Sequence, residues 1–178
     1  MKKAVLILII GLSLFSAGAQ NIIWATPAKL QVYGMTNDGS QVSLTSENLI
    51  VLYDQLNMTG ELNISDIQTS DGVLQSLLDS AAFEKITFTA TLPEGKFVYH
   101  DMLEDSFPVE TELHYGDLSS KIMLTYVVSN RKTSLANTFD ITVSGSLSLL
   151  NDLGVSRLTG LDDKISFMFY QNVQTRTY

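Results

Sequence analysis

Two histidines and their neighbouring carboxylates are the side chains of this 178-residue chain that could bind a metal. His100 and Asp101 are adjacent, Glu104 and Asp105 follow within one short segment, and His114 lies further along. Two imidazoles with a carboxylate can hold zinc or another divalent ion. One hypothesis is therefore a metal-dependent enzyme built around His100 and His114.

The local pattern does not favour that site. Residues 101–107 form an acidic stretch of the kind that is usually a solvated loop. His114 lies between the apolar Leu113 and Tyr115 in an alternating segment, so its side chain is expected to face solvent. We therefore expect no metal at this position.

Other patterns that identify catalytic sites are absent from the sequence. No serine lies in a G-x-S-x-G turn, there is no phosphate-binding or dinucleotide-binding glycine motif, and there is no cysteine. The carboxylate pairs Glu110/Glu112 and Asp162/Asp163 would have to converge across a cleft to hydrolyse a glycoside, yet Glu110 and Glu112 fall on the solvent side of their segment. We expect that the protein is not an enzyme and carries no cofactor.

Composition and charge exclude one class of partner. Eleven basic residues stand against 19 acidic ones, which gives a net charge of −8. No basic cluster is present, and phosphate backbones are held mainly by Lys and Arg. We therefore expect no binding to nucleic acid. The length suits a single domain with a substantial core, and the sequence does not indicate an oligomeric state.

The first 19 residues have the order of a bacterial secretory signal peptide. Lys2 and Lys3 precede an apolar run over residues 4–15, and small residues lead to a cleavage position after Ala19. The run is shorter than the ~20 residues that span a membrane, so a retained anchor is the less favoured alternative. We predict an exported, periplasmic or extracellular protein whose mature part, residues 20–178, is one domain without a stable membrane anchor. Its net charge would be −10.

Apolar and polar residues alternate along most of the mature chain, which is typical of strands with one buried face. Eight or nine such segments are separated by turns, and Gly60 is a candidate β-bulge. The positions on the buried side of this alternation are Leu30 and Val32; Val42 and Leu44; Ile50, Leu52, Leu56, Met58, Leu62 and Ile64; Ile86, Phe88, Ala90 and Leu92; Val109, Thr111, Leu113 and Tyr115; Ile122, Leu124, Tyr126 and Val128; Phe139, Ile141, Val143, Leu147 and Leu149; Ile165, Phe167 and Phe169.

One segment has helical rather than alternating spacing. Leu74, Leu77 and Leu78 recur at intervals of three and four after Asp71, which can cap a helix N-terminus. This pattern predicts one short helix over residues 71–82. The fold is therefore an antiparallel barrel or sandwich, and periodicity alone does not separate the two.

Three stretches are similar to the YceI-like family of exported, lipocalin-like barrels. Residues 58–88 match its strand, short helix and following strand, residues 113–124 match a hairpin, and residues 147–169 match its closing loop and strand. The resemblance covers most of the mature chain. It implies an all-β, antiparallel eight-stranded barrel with one short helix, and a hydrophobic, isoprenoid-like lipid held in the barrel interior.

In such a barrel the lipid would contact inward apolar side chains. The alternative is that these side chains fill the barrel and the protein is a structural or interaction module without a ligand. The candidate ligand-binding residues are Leu52, Met58, Ile86, Phe88, Leu113, Tyr115, Ile122, Leu124, Phe139, Ile141, Phe167 and Phe169.

Overall fold

The computed structural model describes residues 22–36, 38–54, 56–81, 84–94, 104–132, 137–154 and 161–176. The predicted signal peptide lies outside these residues, as do His100 and Asp101. The elements in chain order are β1 (Ile22–Ala25), β2 (Ala28–Met35), β3 (Gln41–Asp54), β4 (Asn57–Asn63), a 3₁₀ turn (Ile64–Asp66), β5 (Gln68–Thr69), α1 (Gly72–Ser80), β6 (Lys85–Thr91), β7 (Glu104–Tyr115), β8 (Leu118–Lys132), β9 (Asn137–Ser148), α2 (Leu149–Leu153) and β10 (Lys164–Arg176).

Eight of the strands close into a barrel. They pair antiparallel in the order β2, β3, β4, β6, β7, β8, β9 and β10, and β10 pairs back onto β2. Closure follows from β10, which pairs with β9 along nearly its whole length and with β2 over Ser166–Tyr170. The short β1 extends the β2 edge of β10, and β5 pairs with β3. The fold prediction is confirmed, and the pairing of β10 with both neighbours identifies a barrel rather than a sandwich.

The inward positions of the eight strands form one hydrophobic core. Along β7 and β8 the buried residues alternate with exposed ones, as the period of a strand requires. This alternation confirms the predicted inward faces of these strands.

The prediction fails along β3, where the buried face changes phase. Val42, Leu44 and Ser46 point inward, but the next inward residues are Leu49 and Val51. Between β2 and β3 the register shifts at this place, with Leu30 opposite Ser46 and Ala28 opposite Leu49. One extra residue on β3 forms a β-bulge, which moves every later side chain to the other face.

Leu52 is therefore on the outside of the barrel, with 61% of its surface exposed, and its prediction as a ligand-binding residue was wrong. The bulge that was expected at Gly60 is not found there. Gly60 pairs in regular register with Val51 on one side and Phe88 on the other.

Two short helices lie at one end of the barrel. Helix α1 confirms the predicted helix, and the Asp71 carboxylate accepts hydrogen bonds from the backbone N–H groups of Val73 (2.9 Å) and Leu74 (3.0 Å). Helix α2 was not predicted, since Leu149 was assigned to a strand. Ser148 caps α2, and Gly154 ends it with a φ of 64°. None of the helices in the described part of the chain is long and apolar enough to span a bilayer.

Candidate ligand-binding site

The barrel contains an apolar cavity of about 170 Å³ at the end that carries the two helices. Of the 24 described residues that line it, only Thr111 and Tyr115 have a polar side-chain atom, and none carries a charge. The lining residues are Leu30, Val32, Leu44, Leu49, Leu62, Ile64, Ile67, Leu77, Leu78, Ala81, Ile86, Phe88, Thr111, Leu113, Tyr115, Ile122, Leu124, Leu147, Leu149, Leu153, Leu161, Ile165, Phe167 and Phe169.

The cavity occupies one half of the barrel, and the strands show where it ends. On β7, Leu113 and Thr111 line the cavity, whereas the next inward residue, Val109, does not. On β8, Leu124 lines it and Tyr126 does not. These two strands therefore each contribute a lining end and a packed end, and Thr111 and Leu124 lie at the boundary between the two halves.

The packed half is filled by large side chains. Tyr126 and Phe139 are fully buried there, and the rings of Tyr126 and Phe107 stack with centroids 5.9 Å apart. The Tyr126 hydroxyl donates a hydrogen bond to Sδ of the buried Met58 at 3.4 Å. Burial raises the pKa of Tyr126 well above its usual value, because the phenolate would lose its hydration. This half is a conventional core.

A buried polar network crosses the packed half. Gln171 is 1% exposed, and its Nε2 donates to the carbonyl oxygens of Thr26 (2.7 Å) and Val51 (3.1 Å). The Tyr53 hydroxyl donates to Gln171 Oε1 at 2.9 Å. These hydrogen bonds tie β3 and β10 together and satisfy the Gln171 amide, so the network has a structural role.

The two helices cover the hollow half. Leu77, Leu78 and Ala81, on α1 and just after it, form one wall, and Leu149 and Leu153 of α2 form another. Leu77 and Ala81 are only half-buried, as are Ile86 and Tyr115, which line the same edge. Leu147, Ile165 and Phe167 of β9 and β10 are also half-buried lining residues, so the cavity approaches the surface on that side as well.

Polar contacts join helix α1 to the segment before it: Gln75 Nε2 donates to the carbonyl oxygen of Ile67 at 3.5 Å, and Thr69 Oγ1 accepts from the backbone N–H of Asp71 at 3.3 Å. Gln75 Oε1 accepts a hydrogen bond from the backbone N–H of Thr69 at 2.9 Å, and Gln75 Nε2 donates to Asp79 Oδ1 at 2.9 Å. Leu74 and Leu78 are buried beneath the helix. The helix thus rests on the barrel mainly through leucine packing.

The structure divides the twelve predicted ligand-binding residues into three groups. Leu52 is outside the barrel, and Met58, Phe139 and Ile141 are fully buried in the packed half, away from the cavity. The eight that line the cavity are Ile86, Phe88, Leu113, Tyr115, Ile122, Leu124, Phe167 and Phe169.

Sequence reasoning missed lining residues on β2, β3 and the helices. Leu30, Val32 and Leu44 carried the same alternation as the chosen residues, so the signal for them was present. Leu49 was hidden by the bulge in β3. Thr111 was on the predicted buried face and was passed over because it is polar.

The second histidine, His114, lies beside a single carboxylate among the described residues. His114 is half-buried on the outer side of β7, with Nε2 3.7 Å from Glu112 Oε1. Within the described ranges, which exclude His100, no three His, Asp or Glu side chains come close enough to hold a metal ion.

No known sequence family and no curated protein matches the chain, but solved structures do. A polyisoprenoid-binding domain from Saccharophagus degradans, implicated in plant cell wall breakdown, superposes with a TM-score of 0.67 at 9% identity. The match covers 90% of this chain and 99% of that one. BcnA from Burkholderia cenocepacia superposes with a TM-score of 0.53 at 12% identity and covers 82% of this chain and 95% of BcnA.

The chain has the fold of these two proteins. The predicted resemblance to the YceI-like barrels is thereby confirmed at the level of the fold. At 9% and 12% identity the likeness concerns the backbone arrangement. The chemical class of a ligand depends on the residues that line this chain's own cavity.

Proposed function

We propose that this is an exported binding protein, and not an enzyme, that holds a hydrophobic, isoprenoid-like lipid in the hollow half of its barrel. The observation that carries the proposal is the cavity in the barrel, whose described lining residues are all apolar except Thr111 and Tyr115. Such a site binds by removing apolar surface from water, at roughly 25 cal/mol per Å². No described lining residue has a carboxylate, an imidazole or an amine.

The size of the cavity limits how much of a lipid it encloses. A dry apolar cavity of about 150 Å³ accommodates benzene, so a cavity slightly larger holds on the order of six to ten carbon atoms. This corresponds to one or two isoprene units. A longer chain would extend past the half-buried edge at Leu77 and Tyr115.

Two further features support the proposal. The structural neighbour from Saccharophagus degradans is described as polyisoprenoid-binding, and its fold is the same. The sequence of residues 1–19, with its Lys pair, apolar run and small residues before position 20, supports export. An acidic outer surface would keep such a carrier soluble and away from anionic lipid surfaces.

The second candidate function is an interaction module without a ligand. The observation that favours it is the packed half of the barrel, where Tyr126, Phe139 and Ile141 leave no room. The two functions differ in whether an apolar molecule enters the hollow half of the barrel.

Native mass spectrometry with lipid extraction tests the proposal. The protein is purified from an exporting bacterial host and compared with Leu124→Trp, in which the larger ring would occupy the cavity. Met123→Trp is the matched control, because Met123 is adjacent to Leu124 on β8 but lies on the outer face of the barrel, where it is 61% exposed. We expect the wild type and Met123→Trp to carry a neutral lipid and Leu124→Trp to lose at least nine-tenths of it. A wild-type protein that contains no lipid and binds none of a prenyl alcohol series would refute the proposal and favour the interaction module.

A further inference from the structure

Phe88 and Phe169 reach towards each other across the interior of the barrel. Phe88 is on β6 and Phe169 is on β10, and in the closed order of the eight strands these two lie four places apart in either direction. They are therefore on opposite walls. The ring centroids are nevertheless only 5.8 Å apart, which is the distance of packed aromatic rings. The two side chains together form a bar from one wall of the barrel to the other.

This pair of rings lies at the inner end of the cavity. Both rings line the cavity and both residues are buried. On β6 the next inward residue is Ala90, and on β10 it is Gln171; neither lines the cavity. Phe88 and Phe169 are therefore the last side chains of their strands that a ligand in the hollow half contacts, and we call this pair the cavity floor.

Two glycines provide the room for side chains at this level. A β-carbon at Gly60 on β4 would overlap the Phe88 ring, and a β-carbon at Gly145 on β9 would overlap the side chain of Leu124. Like β6 and β10, the strands β4 and β9 lie on opposite walls of the barrel. The space that two inward side chains would occupy is thus filled by Phe88 and Leu124, which lie across the interior.

The interior beyond the cavity floor is filled. Met58, Tyr126 and Phe139 are fully buried there, and none of them lines the cavity. A ligand that passed the floor would have to separate the two rings and displace these close-packed neighbours, which is costly in a protein interior. The floor therefore marks the depth at which an inserted chain stops.

We infer that Phe88 and Phe169 determine how much of a ligand the barrel encloses. This inference rests on the proposed function and specifies it: about two isoprene units lie between the cavity floor and the edge at Leu77 and Tyr115, and a third unit stays outside. Only the enclosed carbon atoms are removed from water by the cavity. The affinity should therefore increase with chain length up to two units and then level off.

The test compares three hydrocarbons that differ in the number of isoprene units. They are 2-methylbut-2-ene, 2,6-dimethylocta-2,6-diene and 2,6,10-trimethyldodeca-2,6,10-triene, with one, two and three units. The protein is equilibrated with an equal mixture of two of them, and the bound hydrocarbons are extracted and quantified by gas chromatography. The variant is Phe169→Ala. Phe139→Ala is the matched control, because Phe139 is an equally buried phenylalanine on neighbouring β9 that does not line the cavity.

We expect the wild type to prefer two units over one by about tenfold or more, and three units over two by less than about threefold. Phe169→Ala removes a ring of about the size of one isoprene unit, so its preference for three units over two should rise by about tenfold or more above the wild-type value. Phe139→Ala should keep the wild-type ratio.

The possible failures of this test are distinguishable. A wild-type ratio in Phe169→Ala, with the two-unit hydrocarbon still bound, would overturn the role of the cavity floor and leave the proposed function standing. An equal rise in Phe139→Ala would also overturn it, since the depth would then depend on the whole core. Failure of all three hydrocarbons to bind the wild type would overturn both the inference and the proposed function.

A measurement on the wild type alone gives the same decision if Phe169→Ala does not fold. Nuclear Overhauser contacts should join the terminal methyl groups of bound 2,6-dimethylocta-2,6-diene to the ring protons of Phe88 and Phe169. Contacts from the ligand to the methyl groups of Ile141 and Val173, in the packed half, would show that the chain passes the cavity floor and would overturn the inference.

Discussion

The phenyl ring of Phe88 lies against the α-carbon of Gly60 on the neighbouring strand. The two residues are directly paired between β6 and β4, and a β-carbon at position 60 would overlap three atoms of the ring. The absence of a side chain at Gly60 therefore lets Phe88 lie flat on β4. The ring also packs beside Phe169, with centroids 5.8 Å apart, at the inner end of the cavity.

The first prediction follows from this contact. In Gly60→Ala the methyl group should push the Phe88 ring into the cavity, lower the free energy of unfolding by about 1–3 kcal/mol and weaken the binding of 2,6-dimethylocta-2,6-diene. Urea denaturation and a binding titration measure the two effects. Gly72→Ala is the control, since a β-carbon there meets no atom within 4 Å. Unchanged ligand binding in Gly60→Ala would contradict the geometry at Phe88.

The second prediction compares the same substitution on the two faces of the barrel. Leu124→Ala should lower the free energy of unfolding by about 2–5 kcal/mol, because Leu124 is 3% exposed. Leu52→Ala should change it by less than about 0.5 kcal/mol, because its side chain lies in solvent beyond the β3 bulge. Urea denaturation of both variants is the measurement. A large loss in Leu52→Ala would show that the alternation continues without a bulge.

The third prediction concerns the cap of the helix that covers the cavity. Asp71→Ala removes the acceptor of two backbone hydrogen bonds and should destabilise α1 by about 1 kcal/mol. Local opening of the helix should then be about fivefold more frequent, and the bound ligand should leave faster. Amide hydrogen exchange of Leu74 to Leu78 reports the opening. Asp71→Asn keeps the hydrogen-bond acceptor and should resemble the wild type. Equal exchange rates in all three proteins would show that the Asp71 side chain does not hold α1 over the cavity.

The fourth prediction is a loss of stability at alkaline pH. Burial raises the pKa of Tyr126 above its usual value near 10, so above that pH the unfolded chain releases this proton while the folded protein keeps it. Stability that is fully present below pH 10 is therefore lost as the pH rises. In Tyr126→Phe the decline should be shallower by about 1.4 kcal/mol per pH unit. Urea titrations between pH 9 and 11.5 measure it, and parallel declines would contradict the assignment.

Alternation in the sequence was sufficient to predict which residues point inward on most strands. It located Phe88, Leu124 and Phe169 correctly, and Asp71 identified the start of α1. It failed at Leu52, because a one-residue bulge reverses the face and leaves no mark in the pattern of polar and apolar residues. The closure of the barrel depends on the pairing of β10 with β2, which lie far apart in the sequence. The alternation within one segment carries no information about such a pairing.

The pattern also could not separate the hollow half of the barrel from the packed half. Phe139 and Phe169 are both inward aromatic residues on adjacent strands, yet only Phe169 reaches the cavity. The difference arises from how the side chains of eight strands fill the interior at each level.

Methyl NMR during a titration with 2,6-dimethylocta-2,6-diene shows directly whether a ligand enters the hollow half, because it observes both halves of the barrel at once. We expect saturable shifts for the methyl groups of Leu44, Leu113 and Ile122, which line the cavity. The methyl groups of Ile141 and Val173, in the packed half, should not move. No shift in the first group, or equal shifts in both, would contradict a ligand site in the hollow half.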